Sequence, residues 1–120
     1  MITSTQITNF DDTQIFPYPL PAVQPTGSHA ITVMIFCNTA TPNAADETEN
    51  AVTMDLYVVP AGLTFGDNHA ITKRLLIPAG ETIFFDTERL VLDEGDFVVA
   101  KLVTIDGVGS ITATVSTLTV

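Results

Sequence analysis

The sequence predicts an all-β protein built as an antiparallel β-sandwich, and three observations lead to that class. Thr, Val and Ile, whose branched side chains favour extended backbone, together make up about a third of the 120 residues. No helix-length window places apolar side chains on one helical face without an interrupting Gly or Pro. Short apolar runs follow one another between turn residues, which favours about seven to eight strands in a jelly-roll or immunoglobulin-like order.

The first 28 residues differ from the rest of the chain. Four prolines fall between positions 17 and 25, and this density blocks ladder hydrogen bonds and favours extended backbone. The segment is also too apolar for an inert linker. We therefore predict an extended Pro-rich arm at 1–28, which either packs on its own domain as a strand and lead-in loop or lies on a neighbouring subunit, and a sandwich domain at 29–120. The side chains expected to contact a partner are Phe10, Ile15, Phe16 and Tyr18.

Two strands are predicted in the next part of the chain. The run 30–37 is apolar on both faces, which indicates a central strand that is covered on both sides or reaches a subunit contact. Residues 38–50 are polar and acidic and predict an exposed loop. Apolar and polar side chains then alternate over 51–59, and the inner face is expected to carry Val52, Met54, Leu56 and Val58.

Further strands are predicted at 70–77, 82–85, 90–92, 97–105 and 110–120. Two Pro-Ala-Gly sequences, at 60–62 and 78–80, end strands, and because their flanks differ they indicate two similar turns rather than a repeat. Asp106-Gly107 suits the positive φ angles of a tight turn, so the last two strands are expected to pair as a hairpin. The apolar pattern then moves to Leu118 and Val120, which predicts a bulge or a change of partner sheet.

The charge of the chain is acidic but sparse. Fourteen Asp and Glu face four Lys and Arg, for a net charge of -10, yet only 15% of residues are charged, against about 25% in ordinary domains. The cations, Lys73, Arg74, Arg89 and Lys101, have acids nearby and form no basic stripe, so we expect neither nucleic acid nor an anionic membrane as a partner. Many acids fall at 11–12, 46–49, 86–88 and 93–96, where loops are predicted. This pattern indicates solubilising loops around an assembly-prone sandwich.

The opening residues lack a basic segment followed by a long apolar run, and no stretch approaches the ~20 apolar residues of a spanning helix. We expect neither a secretory signal nor a membrane span.

No catalytic constellation is recognisable. Cys37 is the only cysteine and sits in an apolar run, where a buried thiol is inert. His29 and His69 are expected to be exposed at strand ends, and their spacing matches no zinc motif. We therefore predict a protein that is not an enzyme and holds no cofactor.

One acidic turn is a weak candidate for calcium. Asp93, Glu94 and Asp96 surround Gly95, and carboxylate oxygens are calcium ligands. The segment lacks the alternating acids of a dedicated calcium loop, and an ordinary turn explains it equally well.

Three segments in the second half of the chain form a recognisable pattern: LYVVPAG at 56–62, KRLLIPAGETIFFDTERLVLDEGD at 73–96 and TVSTLTV at 114–120. In this pattern the chain resembles small β-sandwich structural proteins of tailed-phage virions, and the resemblance covers residues 52–120 without the arm. It implies a virion component, assembled in the host cytoplasm, that works by packing and carries no active site.

Within that class the sequence favours a capsid decoration, or cement, protein that forms a homo-oligomer, with a trimer preferred, and that contacts other virion proteins such as the major capsid protein. A tail, neck, baseplate or fibre accessory protein is the alternative. A free-standing glycan- or calcium-binding module, using the loops at 38–50 and 60–69, is the alternative of another class.

Overall fold

The computed structural model describes residues 1–20, 22–85 and 90–120, and these form two antiparallel sheets that pack together. The all-β class is confirmed. The acids at 86–88, Arg89 and Pro21 lie outside the described residues. The strands are β1 (Ile2–Ile7), β2 (Thr13–Phe16), β3 (His29–Asn38), β4 (Val52–Val59), β5 (Ala70–Ile77), β6 (Thr82–Phe85), β7 (Leu90–Leu92), β8 (Phe97–Ile105) and β9 (Ile111–Thr119), with one short 3-10 turn at Asp67–His69.

The chain passes repeatedly from one sheet to the other. The five-stranded sheet has the order β1-β9-β3-β6, and β7 also pairs with β3. The four-stranded sheet has the order β2-β8-β4-β5. β6 and β7 share one edge of β3, since β6 pairs with Met34 to Cys37 and β7 pairs with His29 to Ile31. β3, β4, β8 and β9 therefore each have a neighbour that is distant in sequence.

The hydrophobic core lies between the two sheets. In β4, Val52, Met54 and Leu56 are fully buried and Val58 packs against them, as the alternation predicts. From the five-stranded sheet, Phe36 fills the opposite side of this layer.

The predicted arm at 1–28 is not a separate element in this structure. β1 pairs with β9 and β2 pairs with β8, so residues 2–16 supply edge strands to both sheets and raise the strand count above the predicted seven to eight. The register of β2 shifts between Gln14 and Phe16, and Ile15 and Phe16 both enter the core. The physical reason is the hydrophobic effect. Burying Ile15 and Phe16 in the core of their own chain removes large apolar side chains from water, which stabilises the fold.

The segment after β2 is irregular but tied to the domain. Gln14 Nε2 and Gln24 Nε2 donate hydrogen bonds to the carbonyl oxygen of Tyr18, at 3.0 and 3.1 Å. The Tyr18 N–H in turn donates to Gln24 Oε1 at 3.1 Å. These bonds hold the described part of the Pro-rich segment against β2.

The predicted hairpin of the last two strands is wrong. β8 lies between β2 and β4, whereas β9 lies in the other sheet between β1 and β3. The Asp106-Gly107 turn does form, with a hydrogen bond from Gly109 N to Asp106 O of 3.0 Å, but it carries the chain across the sandwich. A turn sequence specifies local backbone angles and leaves the partner of each strand open.

The predicted irregularity near the end of β9 occurs in its neighbour. Ile31 pairs with Thr117 and Val33 with Ser116, so Thr32 is the extra residue on β3, and its hydroxyl donates to Ser116 O at 2.9 Å. β9 keeps its alternation through buried Thr117 to exposed Leu118. Leu118 is thus an outward-facing apolar residue and not a change of phase.

The two Pro-Ala-Gly sequences form similar turns, as predicted. Leu63 N donates to Pro60 O and Glu81 N to Pro78 O, both at 3.1 Å. Their glycines, Gly62 and Gly80, have φ angles of 77° and 75°, a backbone conformation that residues with a side chain rarely adopt.

A buried polar residue, Asn38, links the ends of several strands. Its Nδ2 donates to Ile77 O at 2.9 Å and to Asn50 O at 2.8 Å, and its Oδ1 accepts from Ala40 N at 3.1 Å. The end of β3 is thereby fastened to β5 across the sandwich.

Candidate functional site

A bulge on the outer side of the four-stranded sheet brings together the charged residues of a surface cleft. Met54 pairs with Leu75 and Leu56 with Thr72, so Lys73 and Arg74 both stand opposite Asp55. Arg74 has a φ of 53°, a left-handed conformation that is uncommon for a residue with a side chain. The N–H of Arg74 donates to Asp55 Oδ1 at 2.7 Å, so the Asp55 side chain replaces a ladder acceptor for the bulge.

Lys73 joins this bulge to the preceding loop. Its Nζ lies 3.0 Å from Asp55 Oδ2 and 2.9 Å from Asp67 Oδ1, and it donates to the Tyr57 hydroxyl at 3.1 Å. Tyr57 donates to Asp55 Oδ2 at 3.0 Å. The Tyr57 ring meets Phe65 edge to face at 4.4 Å between centroids. The loop between β4 and β5, at 60–69, is thus held over the sheet by the Lys73 ammonium group and by the pair of Tyr57 and Phe65 rings.

The pKa values of this cluster shift away from neutrality. Burial raises the pKa of Asp55, but hydrogen bonds from the Arg74 N–H, Lys73 and Tyr57 outweigh burial and leave the pKa below its usual value. Burial raises the pKa of Tyr57. Hydrogen bonds to Asp67, Tyr57 and Asp55 raise the pKa of Lys73. A general acid or base works best with a pKa near the ambient pH, so this cluster suits a structural role better than proton transfer.

The cleft beside the cluster has a volume of about 520 Å³ and gathers three cations, Lys73, Arg74 and Lys101. Lys101 Nζ lies 3.8 Å from Asp12 Oδ1. Asp12, Asp55 and Asp67 together match the three positive charges, so the cleft carries no strong net field.

The acidic turn at 93–96 uses its carboxylates within the fold. Asp96 Oδ2 accepts from Asp93 N and Oδ1 from Ala61 N, both at 2.8 Å, while Asp93 Oδ1 accepts from Ser28 Oγ at 3.1 Å. Glu94 is exposed. Within the described ranges no group of three or more His, Cys, Asp or Glu side chains is placed to hold a metal ion.

The predicted partner-contact residues divide into two groups. Ile15 and Phe16 are 0% and 1% exposed, so in this conformation they offer no surface to another molecule. Phe10 is 55% exposed and lines the cleft beside Lys73 and Arg74. Tyr18 is half-buried, and its hydroxyl donates to Met1 Sδ at 3.0 Å.

The histidine and cysteine environments differ from the sequence expectations. His29, expected to be exposed, is buried and meets the Phe16 ring at 5.9 Å. His69 is half-buried at the end of the 3-10 turn. Cys37, expected to be buried, is half-exposed, because the inward position beside it is taken by Phe36. A run that is apolar on both faces left the inward face of β3 ambiguous.

A second surface, missed by the sequence reasoning, is the outer face of the five-stranded sheet. Four large apolar side chains on it are exposed to solvent: Ile2 at 71%, Phe84 at 66%, Leu118 at 62% and Val91 at 51%. Its centre is the outward side of β3, with Ala30, Val33, Ile35 and Cys37. Its polar part consists of Ser4, Gln6, Thr82, Thr112, Thr114 and Ser116. We call these residues the uncharged face, because none of them carries a charge.

No protein family, curated protein or solved structure matches this chain. Of the residues described, none belongs to a helix long and apolar enough to cross a membrane.

Neighbouring strands place the uncharged face in rows. Ser4 pairs with Thr114, Thr114 with Ile35 and Ile35 with Phe84. The only sequence signal for this arrangement was the run at 30–37 without polar alternation. The strands that flank it could not be assigned from sequence, so the face could not be assembled.

Proposed function

We propose that this chain is a non-enzymatic structural protein of a tailed-phage virion, and that it acts as a capsid decoration, or cement, protein that stabilises the head by oligomeric packing. The uncharged face carries this proposal. Exposed apolar patches on small soluble proteins mark interaction surfaces, and here the patch is formed by regular strands.

The strand order adds support. When β6 and β7 are counted as one interrupted strand, each sheet has four strand positions. We interpret the order in which the chain visits these positions as that of a jelly roll. Viral capsid domains use this wiring, although lectins and cupins also do. The resemblance of residues 52–120 to virion β-sandwich proteins favours the first of these classes.

A tail, neck, baseplate or fibre accessory protein would need the same features. Mass spectrometry of purified particles from the phage that encodes the chain, combined with particle reconstruction, distinguishes the locations. We expect many copies on the capsid surface, and we expect heads without the protein to release their DNA at a lower temperature. Density at the neck or tail would favour the accessory role.

Absence of the protein from purified particles would overturn the virion proposal. Saturable glycan or calcium binding by the isolated chain, measured on a glycan array or by calorimetry, would then favour the binding module.

A further inference from the structure

We propose that two copies of this chain pack against each other through the uncharged face. The inference specifies the self-association that the proposed virion role calls for, and in that respect it rests on that role. Its physical basis is independent of where the protein is found.

Exposed apolar side chains are spread over several strands of this face. Phe84, Leu118 and Ile2 each leave more than half of their surface in water and stand on different strands of the same sheet. Water contact is unfavourable for each of them, and only a broad, flat partner can cover all three together.

Charge argues that the partner is a second copy. Each chain carries a net charge of -10, so two copies repel each other wherever acids face acids. The uncharged face brings no acid to the contact among its described positions. A basic partner would be drawn to the acidic loops and would find no carboxylate to pair with on this face.

The polar part of the face is also compatible with its own copy. Ser4, Thr112 and Thr114 carry hydroxyl groups, which both donate and accept hydrogen bonds. Two copies of such a face, related by a two-fold rotation, can therefore hydrogen-bond to each other. Two identical faces that carried only donors or only acceptors could not.

The size of the face suits a modest dimer. Four neighbouring strands of about eight residues cover roughly 500 Å² in projection, and the surface of the protruding side chains is larger. Specific interfaces bury about 800 Å² per partner, and transient ones less than about 600 Å². A face of this size is typical of a weak, reversible dimer. Packing of identical faces gives two-fold symmetry, so the proposal favours a dimer over the trimer predicted from sequence.

Sedimentation equilibrium of the full chain tests the proposal. The average mass should rise with concentration from 12.8 kDa towards twice that value. Phe84→Glu should weaken association at least about tenfold, because it places an acid on each of the two contacting faces. Leu76→Glu is the matched control: Leu76 is 55% exposed on β5 of the other sheet, and the substitution adds the same charge. It should leave the dissociation constant within about twofold of the parent.

Two further measurements address the mechanism of association. Raising NaCl from about 0.05 M to about 0.5 M should strengthen the dimer, because salt screens the repulsion between two acidic chains and leaves apolar contacts intact. Cys37 lies on the face and is the only cysteine, so its alkylation by a neutral reagent should slow as the dimer forms. Phe84→Glu should restore the monomer rate.

Phe84→Lys gives a second variant with which to test self-packing. Alone it should be monomeric, but mixed with Phe84→Glu it should form a mixed dimer, because the two contacting faces then carry opposite charges. Thermal unfolding should show that both variants remain folded, since Phe84 is mostly exposed.

A chain that stays monomeric up to millimolar concentration, a stable trimer, a dimer weakened by salt, or equal loss in Leu76→Glu and Phe84→Glu would each overturn the inference. These experiments use the purified protein. Absence from virions would therefore defeat the proposed function and leave a measured dimer standing, and a monomer would defeat this inference alone.

Discussion

Thr3 and Thr5 have buried hydroxyl groups that no described residue hydrogen-bonds. Both lie on β1, on the side opposite Ser4 and Gln6. A buried hydroxyl without a partner loses its hydrogen bond to water and gains nothing in return.

Thr5→Val keeps the shape of the side chain and removes that unpaired group. We expect the free energy of unfolding, measured by urea titration, to rise by about 1 kcal/mol. Thr114→Val is the control, because its hydroxyl lies on the outer face, 3.2 Å from Ser4 Oγ, and its loss should change stability by less than about 0.5 kcal/mol. Equal effects of the two substitutions would contradict this explanation.

The lowered pKa of Asp55 predicts a pH-dependent stability. In the pH range between the folded and unfolded pKa values the unfolded chain binds more protons, so the Asp55 contribution is present above about pH 4 and is lost as the pH falls further. Asp55→Asn should lower the free energy of unfolding at pH 7 by about 1–3 kcal/mol, and the difference from the parent should shrink towards pH 3. Urea titrations at both pH values measure this.

Asp67→Asn provides the comparison. Asp67 also contacts Lys73, but its side chain is 84% exposed, so water already screens the ion pair. Its substitution should change stability by less than about 1 kcal/mol at either pH. A pH-independent deficit in Asp55→Asn would show that shape, and not charge, accounts for its effect.

At the scale of elements, the Asn38 side chain links the end of β3 to the end of β5 by a hydrogen bond. Asn38→Asp replaces the amide that donates to Ile77 O and Asn50 O with a carboxylate that can only accept, so oxygen faces oxygen at both contacts. We expect a loss of about 2–4 kcal/mol at pH 7. Part of this loss should be recovered near pH 4, because a protonated carboxyl can donate one hydrogen bond. A variant equally unstable at both pH values would contradict the proposed polarity.

The sequence predicted the elements that depend on interactions between residues close together in the chain, and it missed those that depend on distant residues. β4 and β5 were placed within one residue because alternation and Pro-Ala-Gly turns are local signals. The separation of β8 and β9 was missed because the choice of sheet depends on β1, about a hundred residues earlier in the chain. The Asp55 bulge was missed for the same reason, since it exists only once β4 and β5 are in register. The uncharged face required both kinds of information.

For the whole molecule, the joining of β1 and β2 to opposite sheets makes the first 16 residues part of one cooperative unit. Removal of residues 1–25 should therefore abolish the thermal unfolding transition seen by circular dichroism, because the core loses Ile7, Ile15 and Phe16. Phe10→Ala, at an exposed position, is the matched change and should leave the midpoint within about 3 °C. A truncated chain that still unfolds cooperatively would restore the idea of a detachable arm.

The pairing of β1 with β9 has a practical consequence for engineering. Residue 2 lies beside residue 116, so position 120 lies roughly 13 Å farther along the same ladder, a gap that a linker of about five or six residues can span. A circularly permuted chain, joined there and opened in the exposed loop at 41–49, would keep every described strand pair. Its new ends would lie in that exposed loop, away from β1 and β9. Peptides could then be displayed from the loop without changing the order of strands in either sheet.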